Sequence, residues 1–469
     1  MYDYTIIGGG PSGIYCADKL SLLGYKVCLI EKLESLGGCH RVRYTENKNE
    51  IYGGKVHTEH GPRVYLGAYL DFWKWIQDVG VSRNNNFTEY ITSSLGEDII
   101  DYSIKFNIYE LVCMAIVYFI QNVLRLDFSE NYTIDDFMED FYFSDEGKTR
   151  LNRICRLIDG GNTDKTTIIS LFKGLDVGLA YDIYEPIEPM DTLLWDKFYH
   201  KLNKQKVNIQ LNTEVFEIKK GKVITNRDII STNNIILCIP PFVINKIINA
   251  PLLCGYDVKT FHKLSDYQQY EPYICATIEF ENISSITRWG ISGDHPWGLV
   301  DIDNGRYFNN VKGSMYVVSV THPEKIDPKT KRTANDMNKT EFLNRIVEII
   351  QERFQIKEEP IKKSLSPNVK KINGGWIEID RAFLYSPPGW LKPDFNISKK
   401  NKVYTTGHHI GESYHEYNSM ESAIQNGSEL LSKIEPRYNY KISKPWRLSD
   451  FIWIGILLLI LIIILYIYR

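Results

Sequence analysis

A glycine pattern close to the start of the chain leaves few folds open. Residues 4–32, "YTIIGGGPSGIYCADKLSLLGYKVCLIEK", follow a simple order: a short apolar run (Tyr2–Ile7), then Gly8-x-Gly10-x-x-Gly13, a helical stretch to about Leu23, and a second apolar run, Lys26–Ile30, ending at Glu31. Short β-branched and aromatic runs without polar alternation suit parallel strands buried on both faces. The three glycines have separate jobs: a tight turn, close approach of backbone to a pyrophosphate, and close packing of helix on strand. The helix start at Pro11 and Ser12 would offer unpaired N–H groups and partial positive charge to those phosphates. Glu31, 18 residues after Gly13 and followed by Lys32, stands where a carboxylate accepts ribose hydroxyls. An acid there disfavours a 2′-phosphate, hence NADP, and leaves FAD and NAD both open.

The bulk numbers exclude several classes. A chain of 469 residues has room for two or three domains. A net charge of −3 gives no electrostatic reason to expect a nucleic-acid partner. The pairs Lys362–Lys363 and Lys399–Lys400 are expected to be solvated surface. Eight cysteines show no C-x-x-C spacing and none lies beyond Cys275, which suits buried thiols in a reducing compartment better than disulfides or zinc. Tyr2–Ile7 already reads as structure, so no secretory leader is expected before it.

The other end differs in kind. Residues 451–468, "FIWIGILLLILIIILYIY", are 18 uncharged, mostly apolar positions before Arg469. As a helix they would cover about 27 Å, close to the thickness of a bilayer's hydrocarbon core. Phe451, Trp453, Tyr466 and Tyr468 sit at the two ends as interfacial anchors do. Lys441, Lys444 and Arg447 precede the run and one arginine follows it. The positive-inside tendency then leaves the large domain cytosolic, on a tail-anchored chain.

Further motifs complete the nucleotide loop: "KLESLGGCHRVRY" (32–44), "KVHTEHGPRVYLG" (55–67), "NIQLNTEVFEIKKGKVITNRDIISTNNIILCIPP" (208–241) and "NKVYTTGHHIGESYHEYNSMESAIQNGSELLSKI" (401–434). With these landmarks in this order, the chain resembles the flavin-dependent amine oxidase superfamily, which includes monoamine, polyamine and protoporphyrinogen oxidases. "TEHGPRVYL" is most similar to the protoporphyrinogen oxidase version. The resemblance implies FAD, with Gly8–Gly13 and Glu31 at its nucleotide end and Val215 at the adenine. Gly38 and Arg41 would flank the pyrophosphate and ribityl chain, and Gly61, Pro62 and Arg63 would pass beside the isoalloxazine. Gly407, His408, Ser419 and Met420 would meet the flavin end. The activity implied is acceptance of a hydride at flavin N5 from an amine or a tetrapyrrole-like, lipophilic substrate, with oxygen as the reoxidant. The alternatives are a non-redox enzyme resembling UDP-galactopyranose mutase, disfavoured by Gly411-Glu412 where a Gly-Arg would stand, and a membrane-anchored protein using FAD structurally.

Several residues depart from the family pattern. Gly407 is followed by His408, where relatives usually carry an acid. The absence of cysteine after Cys275 excludes the covalent attachment of monoamine oxidases, so FAD is expected to be non-covalent. The stretch "YEPYICATIEFEN" (270–282) lacks the lysine that many amine oxidases hold near N5; Cys275 or a neighbour takes its position. His408, His409 and His415 lack metal-ligand spacing, and no metal is expected. The catalytic group is unassigned, with Arg63, Tyr385 and Trp376 as candidates: Arg63 as an ion-pair residue or an anion contact, and Trp376, Tyr385 and Trp390 as aromatic walls or core. Asn418 and Glu421 are spaced to cap a helix running to Leu431, whose N-terminus would favour negative charge at the flavin.

The fold class expected is therefore α/β: a Rossmann-type FAD-binding domain with an inserted mixed α+β substrate domain and a C-terminal transmembrane helix. By the family pattern, 1–70, 190–245 and 370–435 form the FAD domain, 71–189 and 246–369 the substrate domain, 436–450 a linker and 451–468 the anchor. Helices are expected at 104–126, 133–158 and 339–354, strands at 273–281 and 314–321, and an exposed loop at 324–339. "IYELVCMAIVYFI" (108–120) is too short to span a bilayer and reads as a core helix or a helix facing lipid. A small-molecule substrate is the expected partner; no repeat or other signal bears on the oligomeric state.

Overall fold

The computed structural model describes residues 1–46, 55–58, 63–90, 106–159, 161–255, 274–284, 295–309, 311–379, 395, 401–411, 413–415 and 419–467. The first apolar run forms β1 (Tyr2–Ile7) and the second β2 (Val27–Ile30), joined by α1 (Pro11–Leu22). Both strands are central and buried on both faces, which is why they show no polar alternation. Their sheet has seven strands. β3 (Asn208–Gln210), β2, β1, β6 (Ile229–Leu237) and β11 (Val403–Thr405) run parallel in that order, and β4 (Val215–Lys219) and β5 (Lys222–Thr225) extend it as an antiparallel pair beyond β6. The sheet thus draws on the start, the middle and the end of the chain.

A second sheet is antiparallel, with β7 (Ile274–Glu279), β8 (Leu299–Asp303), β9 (Met315–Val320) and β10 (Lys362–Leu365) in the order β8-β9-β7-β10. The long helix over Lys339–Phe354 coincides with its expected span and packs Phe342, Ile346 and Ile350 onto this sheet. A helical layer covers 106–178, with helices at Ile108–Tyr118, Ile134–Asp140, Asp145–Asp159 and Ile168–Gly178 around their own apolar core.

One expectation requires correction and two gain detail. Lys362 is not solvated: alternation along β10 turns it inward beside Glu279, with Nζ 3.7 Å from Oε2, while Lys363 faces outward to Asn344. Burial raises the Glu279 carboxyl above its ordinary range, with Lys362 opposing. Lys362→Ala is therefore expected to cost about 3–5 kcal/mol, because it leaves Glu279 buried without its counter-charge. Lys362→Met with Glu279→Leu should restore most of that loss in urea denaturation. Second, Trp376 belongs to the core between the second sheet and the helix Lys339–Phe354, the core member of the two alternatives. Its ring stacks on Phe342 at 5.5 Å and its Nε1 donates to the Ala334 carbonyl at 3.0 Å. Third, the polar segment 324–339 is mostly exposed but folds around a fully buried Asp327. Burial opposes the charge on Asp327, yet two 3.0 Å hydrogen bonds from Arg345 and others from Thr330 hold its carboxyl well below the usual range.

The terminal apolar stretch is helical over Leu448–Ile467, with side chains described as far as Ile463. Among the described residues no helix is long and apolar enough to cross a membrane, so the structure lends no support to the transmembrane helix of the expected fold.

Candidate cofactor site

Strand register sets the location of the site. Gln210 pairs with Ile30, Ile30 with Ile7, Ile7 with Leu237, and Leu237 with Thr405. Because these strands are parallel, all of them release their chains at one edge, in a single row. The ladder runs one residue further: Glu31 N donates to Gln210 O (2.9 Å), Gly8 N to Ile30 O (2.8 Å), Cys238 N to Ile7 O (2.7 Å) and Thr406 N to Leu237 O (3.0 Å). Glu31, Gly8 and Thr406–Gly407, distant in sequence, are thereby neighbours at the carboxyl edge, where open α/β sheets bind ligands.

Steric demand explains the glycines. Gly8 has φ +107°, and a Cβ there would lie 2.4 Å from the Cys238 carbonyl oxygen. A Cβ on Gly13 would lie 1.9 Å from the Gly8 carbonyl oxygen, so this glycine sets how closely α1 can pack on β1. Gly10 is the N-cap of α1 and Pro11 follows; no side chain caps that end. A helix start left in this way is ready to take an anion. Ser12 faces the opposite way, toward α1's partner helix, with its Oγ near Gly427.

The Glu31 carboxylate, 8% exposed, accepts from Gly9 N at 2.6 Å and from Leu33 N at 3.0 Å, and Thr213 N donates to the Glu31 carbonyl at 2.9 Å. Loop, acid and the Thr213–Val215 segment are therefore in one place. The Lys32 side chain is not: it is exposed and pairs with Glu214 at 2.9 Å.

The Gly37–Gly38 turn is tied to the nucleotide loop by Gly37 N donating to Gly9 O at 2.8 Å, and Gly38 backs onto Gly10. Trp195 holds this turn from one side: its indole lies where a Gly37 Cβ would be, and Nε1 donates to His40 O at 3.0 Å. Arg63 holds it from another side, with Nη2 donating to the Cys39 carbonyl. Arg41 is buried. Arg63 thus joins the same turn rather than standing apart.

At the far end of the row, Gly407 leaves β11 and its carbonyl accepts from Asn426 Nδ2 at 2.8 Å. His409 and His415 are buried and His408 is half-buried. The helix Met420–Ile434 packs along α1, where Gly427 allows close approach to Ser12 and Cys16. Its cap differs from the expected one. Ser419 is the N-cap and exchanges hydrogen bonds with Ser422 at 3.0 Å each way. Glu421 instead turns into the core, where its two oxygens accept from Asp71 N and Phe72 N, both at 2.8 Å. Met420 is buried at this helix start. Gly61, Pro62, Tyr385, Trp390, Glu412 and Asn418 lie outside the described residues. Among the described residues no group of three or more His, Cys, Asp or Glu could hold a metal.

Sequence reading missed Trp195, Gly427 and the role of Glu421. Only Gly427 left a signal, as a glycine inside an otherwise good helix, which usually marks a packing contact.

Comparison with known proteins agrees with this geometry. The NAD(P)-binding Rossmann-like domain family matches residues 6–79. (S)-6-hydroxynicotine oxidase from Paenarthrobacter nicotinovorans is 43% identical over 75 residues, which are 15% of this chain and 17% of that protein. A ferredoxin–NADP reductase from Streptococcus agalactiae is 46% identical over 48 residues, 10% of this chain and 14% of the reductase. These matches span less than a fifth of the relatives' own lengths. The fold likeness covers far more. A putrescine oxidase solved with putrescine matches at TM-score 0.62 and 14% identity, over 92% of this chain and 98% of that one. Cyclohexylamine oxidase from Brevibacterium oxydans matches at TM-score 0.60 and 12% identity, over 93% and 99%. The chain has the Rossmann-type fold of the flavin amine oxidases.

Proposed function

We propose that this chain is an FAD-dependent oxidoreductase of the amine-oxidase type that holds its cofactor non-covalently. One observation carries the reading: the in-register parallel strands set Gly8–Gly13, Glu31 and the Gly407 turn along a single edge. The residues present fit FAD. The uncapped α1 start suits a pyrophosphate, Gly8 and Gly13 leave no room for side chains, and Glu31 is a ready acceptor for ribose hydroxyls. When bound, FAD supplies two-electron oxidation at its isoalloxazine. The chain supplies position and field. Trp195 and Arg63 fix the 37–41 turn, and the helix Met420–Ile434 aims its partial positive charge toward the edge where Gly407 emerges.

Amines are the favoured substrate class, since putrescine oxidase and cyclohexylamine oxidase share the fold along nearly their whole length. Oxygen is the proposed reoxidant. The test is anaerobic: titrate the full-length protein with putrescine, cyclohexylamine and protoporphyrinogen in turn and follow the visible flavin band. Bleaching by an amine supports the reading, bleaching by protoporphyrinogen alone moves the substrate class to tetrapyrroles, and no bleaching by any of them removes the oxidoreductase.

The terminal helix is proposed as a membrane anchor, with the large domain on the cytosolic side. Leu457 to Ile463 are all exposed, each 47–61% accessible, and contiguous exposed apolar surface of this kind marks a site of membrane or protein contact.

A further inference from the structure

Where the terminal helix leaves the globular part, it meets a second apolar surface. The helix Ile108–Tyr118 continues through one π-helical turn, Phe119–Val123. Trp453 Nε1 of the terminal helix donates to the Val123 carbonyl at 2.6 Å, and Asp176 accepts from both Tyr118 Oη (2.6 Å) and Ser449 Oγ (2.7 Å). One face of the helix, through Cys113 and Val117, is buried in the local core. The other face carries Ile108, Val112, Ile116 and Phe119, 40–81% exposed, and leads into exposed Leu124 and Leu126. Their i, i+4, i+8, i+11 spacing puts the four on a single stripe. An isolated exposed Leu needs no explanation. A stripe of this length, joined to a bare apolar helix, needs one.

Between the two surfaces lies a cavity of ≈ 290 Å³. Four cationic side chains line it, Arg125, Lys173, Lys444 and Arg447, against two acids, Asp127 and Asp450. Both acids are already engaged. Asp127 accepts from Gln121 Nε2 at 2.7 Å and stands 3.7 Å from Lys173. Asp450 accepts from Arg447 N at 3.0 Å and stands 3.7 Å from Arg125. Among the described residues, Arg447 Nε is buried without a hydrogen-bond partner.

We propose that the stripe on helix 108–119 lies in the membrane interface as a second contact, and that the cationic cavity between it and the terminal helix binds the headgroup of an anionic phospholipid. The inference rests on the membrane reading of the terminal helix. Apolar side chains on both flanks would take the acyl region, while long cationic side chains at the boundary reach the phosphate.

The test uses the full-length protein in vesicles of phosphatidylcholine with or without phosphatidylserine, containing doxyl-labelled lipids. A fluorophore is attached at Ile116→Cys or at Ile460→Cys, with labelled wild type as background. Quenching at 116 by shallow doxyl groups and at 460 by deep ones is expected. Quenching at 460 without quenching at 116 overturns the second contact and leaves the anchor standing; quenching at neither position removes the anchor, and this inference with it. After detergent extraction, retained phosphatidylserine should exceed retained phosphatidylcholine and fall several-fold in the Lys444→Gln/Arg447→Gln variant, with quenching at 116 unchanged. Equal retention of the two lipids overturns the headgroup site.

Discussion

Gly13→Ala is expected to give a folded protein that no longer retains its yellow cofactor. The added methyl carbon would lie 1.9 Å from the Gly8 carbonyl oxygen and 3.3 Å from Cys238 Cβ. The nearer of these atoms is backbone in the turn after β1 and cannot step aside, so α1 itself must move. That carries the uncapped helix start away from the strand edge and breaks its alignment with Glu31 and the Gly407 turn. Overpacking of this kind costs about 1–3 kcal/mol. If that cost falls on the bound geometry, flavin affinity drops by about tenfold to a hundredfold. Gly178→Ala is the matched control, because a Cβ there meets nothing within 4 Å and the backbone is helical. Flavin content and far-ultraviolet circular dichroism of both variants check the claim. Full flavin retention in Gly13→Ala would mean that this loop does not hold the cofactor.

Glu421→Ala should be strongly destabilising. Its carboxyl group, fully buried, accepts from the Asp71 and Phe72 N–H groups at the start of the short helix Leu70–Trp75, which has no side-chain cap of its own. Gln425 bridges it to Asp71, which also accepts from Tyr440 Oη and Ser443 Oγ, both at 2.7 Å. One cluster therefore ties together three segments: the early helix, the helix over the cofactor edge and the connector to the terminal helix. Truncation leaves two buried N–H donors unpaired, for an expected loss of about 3–5 kcal/mol.

The same residue gives a pH signature. Burial, and then the Asp71 carboxylate, push Glu421 up to about 8. Its folded value lies above its unfolded one, so between the ordinary glutamate range and about 8 the native state holds a proton that the unfolded chain has lost. The stability tied to that proton is fully present below this window and declines as pH rises through it. Glu421→Gln cannot titrate, so between about pH 6 and about pH 8 wild type should lose stability faster than the variant, by on the order of 1 kcal/mol per pH unit. Parallel denaturation curves for the two proteins would contradict the assignment.

These two residues also mark what the sequence made legible. Gly13 was readable because its constraint is local: strand, turn and helix lie within a few residues, and the glycine spacing reports their packing directly. The helix Lys339–Phe354 was readable for the same reason, since its apolar periodicity is local, and the structure adds an Asn338–Glu341 capping box at its start. Glu421 was misread because Asn418-x-x-Glu421 has the spacing of a cap, whereas its true partners lie 350 positions away, and a contact at that separation leaves no periodic trace. Lys362 was misread because a two-lysine cluster looks solvated until strand alternation turns one of the pair inward. Trp376 could be read as core or cofactor wall, and the nearby Phe342 ring and Ala334 carbonyl place it in the core. The strand edge itself could be anticipated only through the family resemblance, since no local pattern says that 403–405 pairs beside 235–237.

The visible absorption spectrum of the full-length, detergent-purified protein tests the central claim most directly. A flavin spectrum at close to stoichiometric content, with the chromophore released into solution on denaturation, is the predicted result. A colourless protein that stays colourless after incubation with excess FAD would contradict the account.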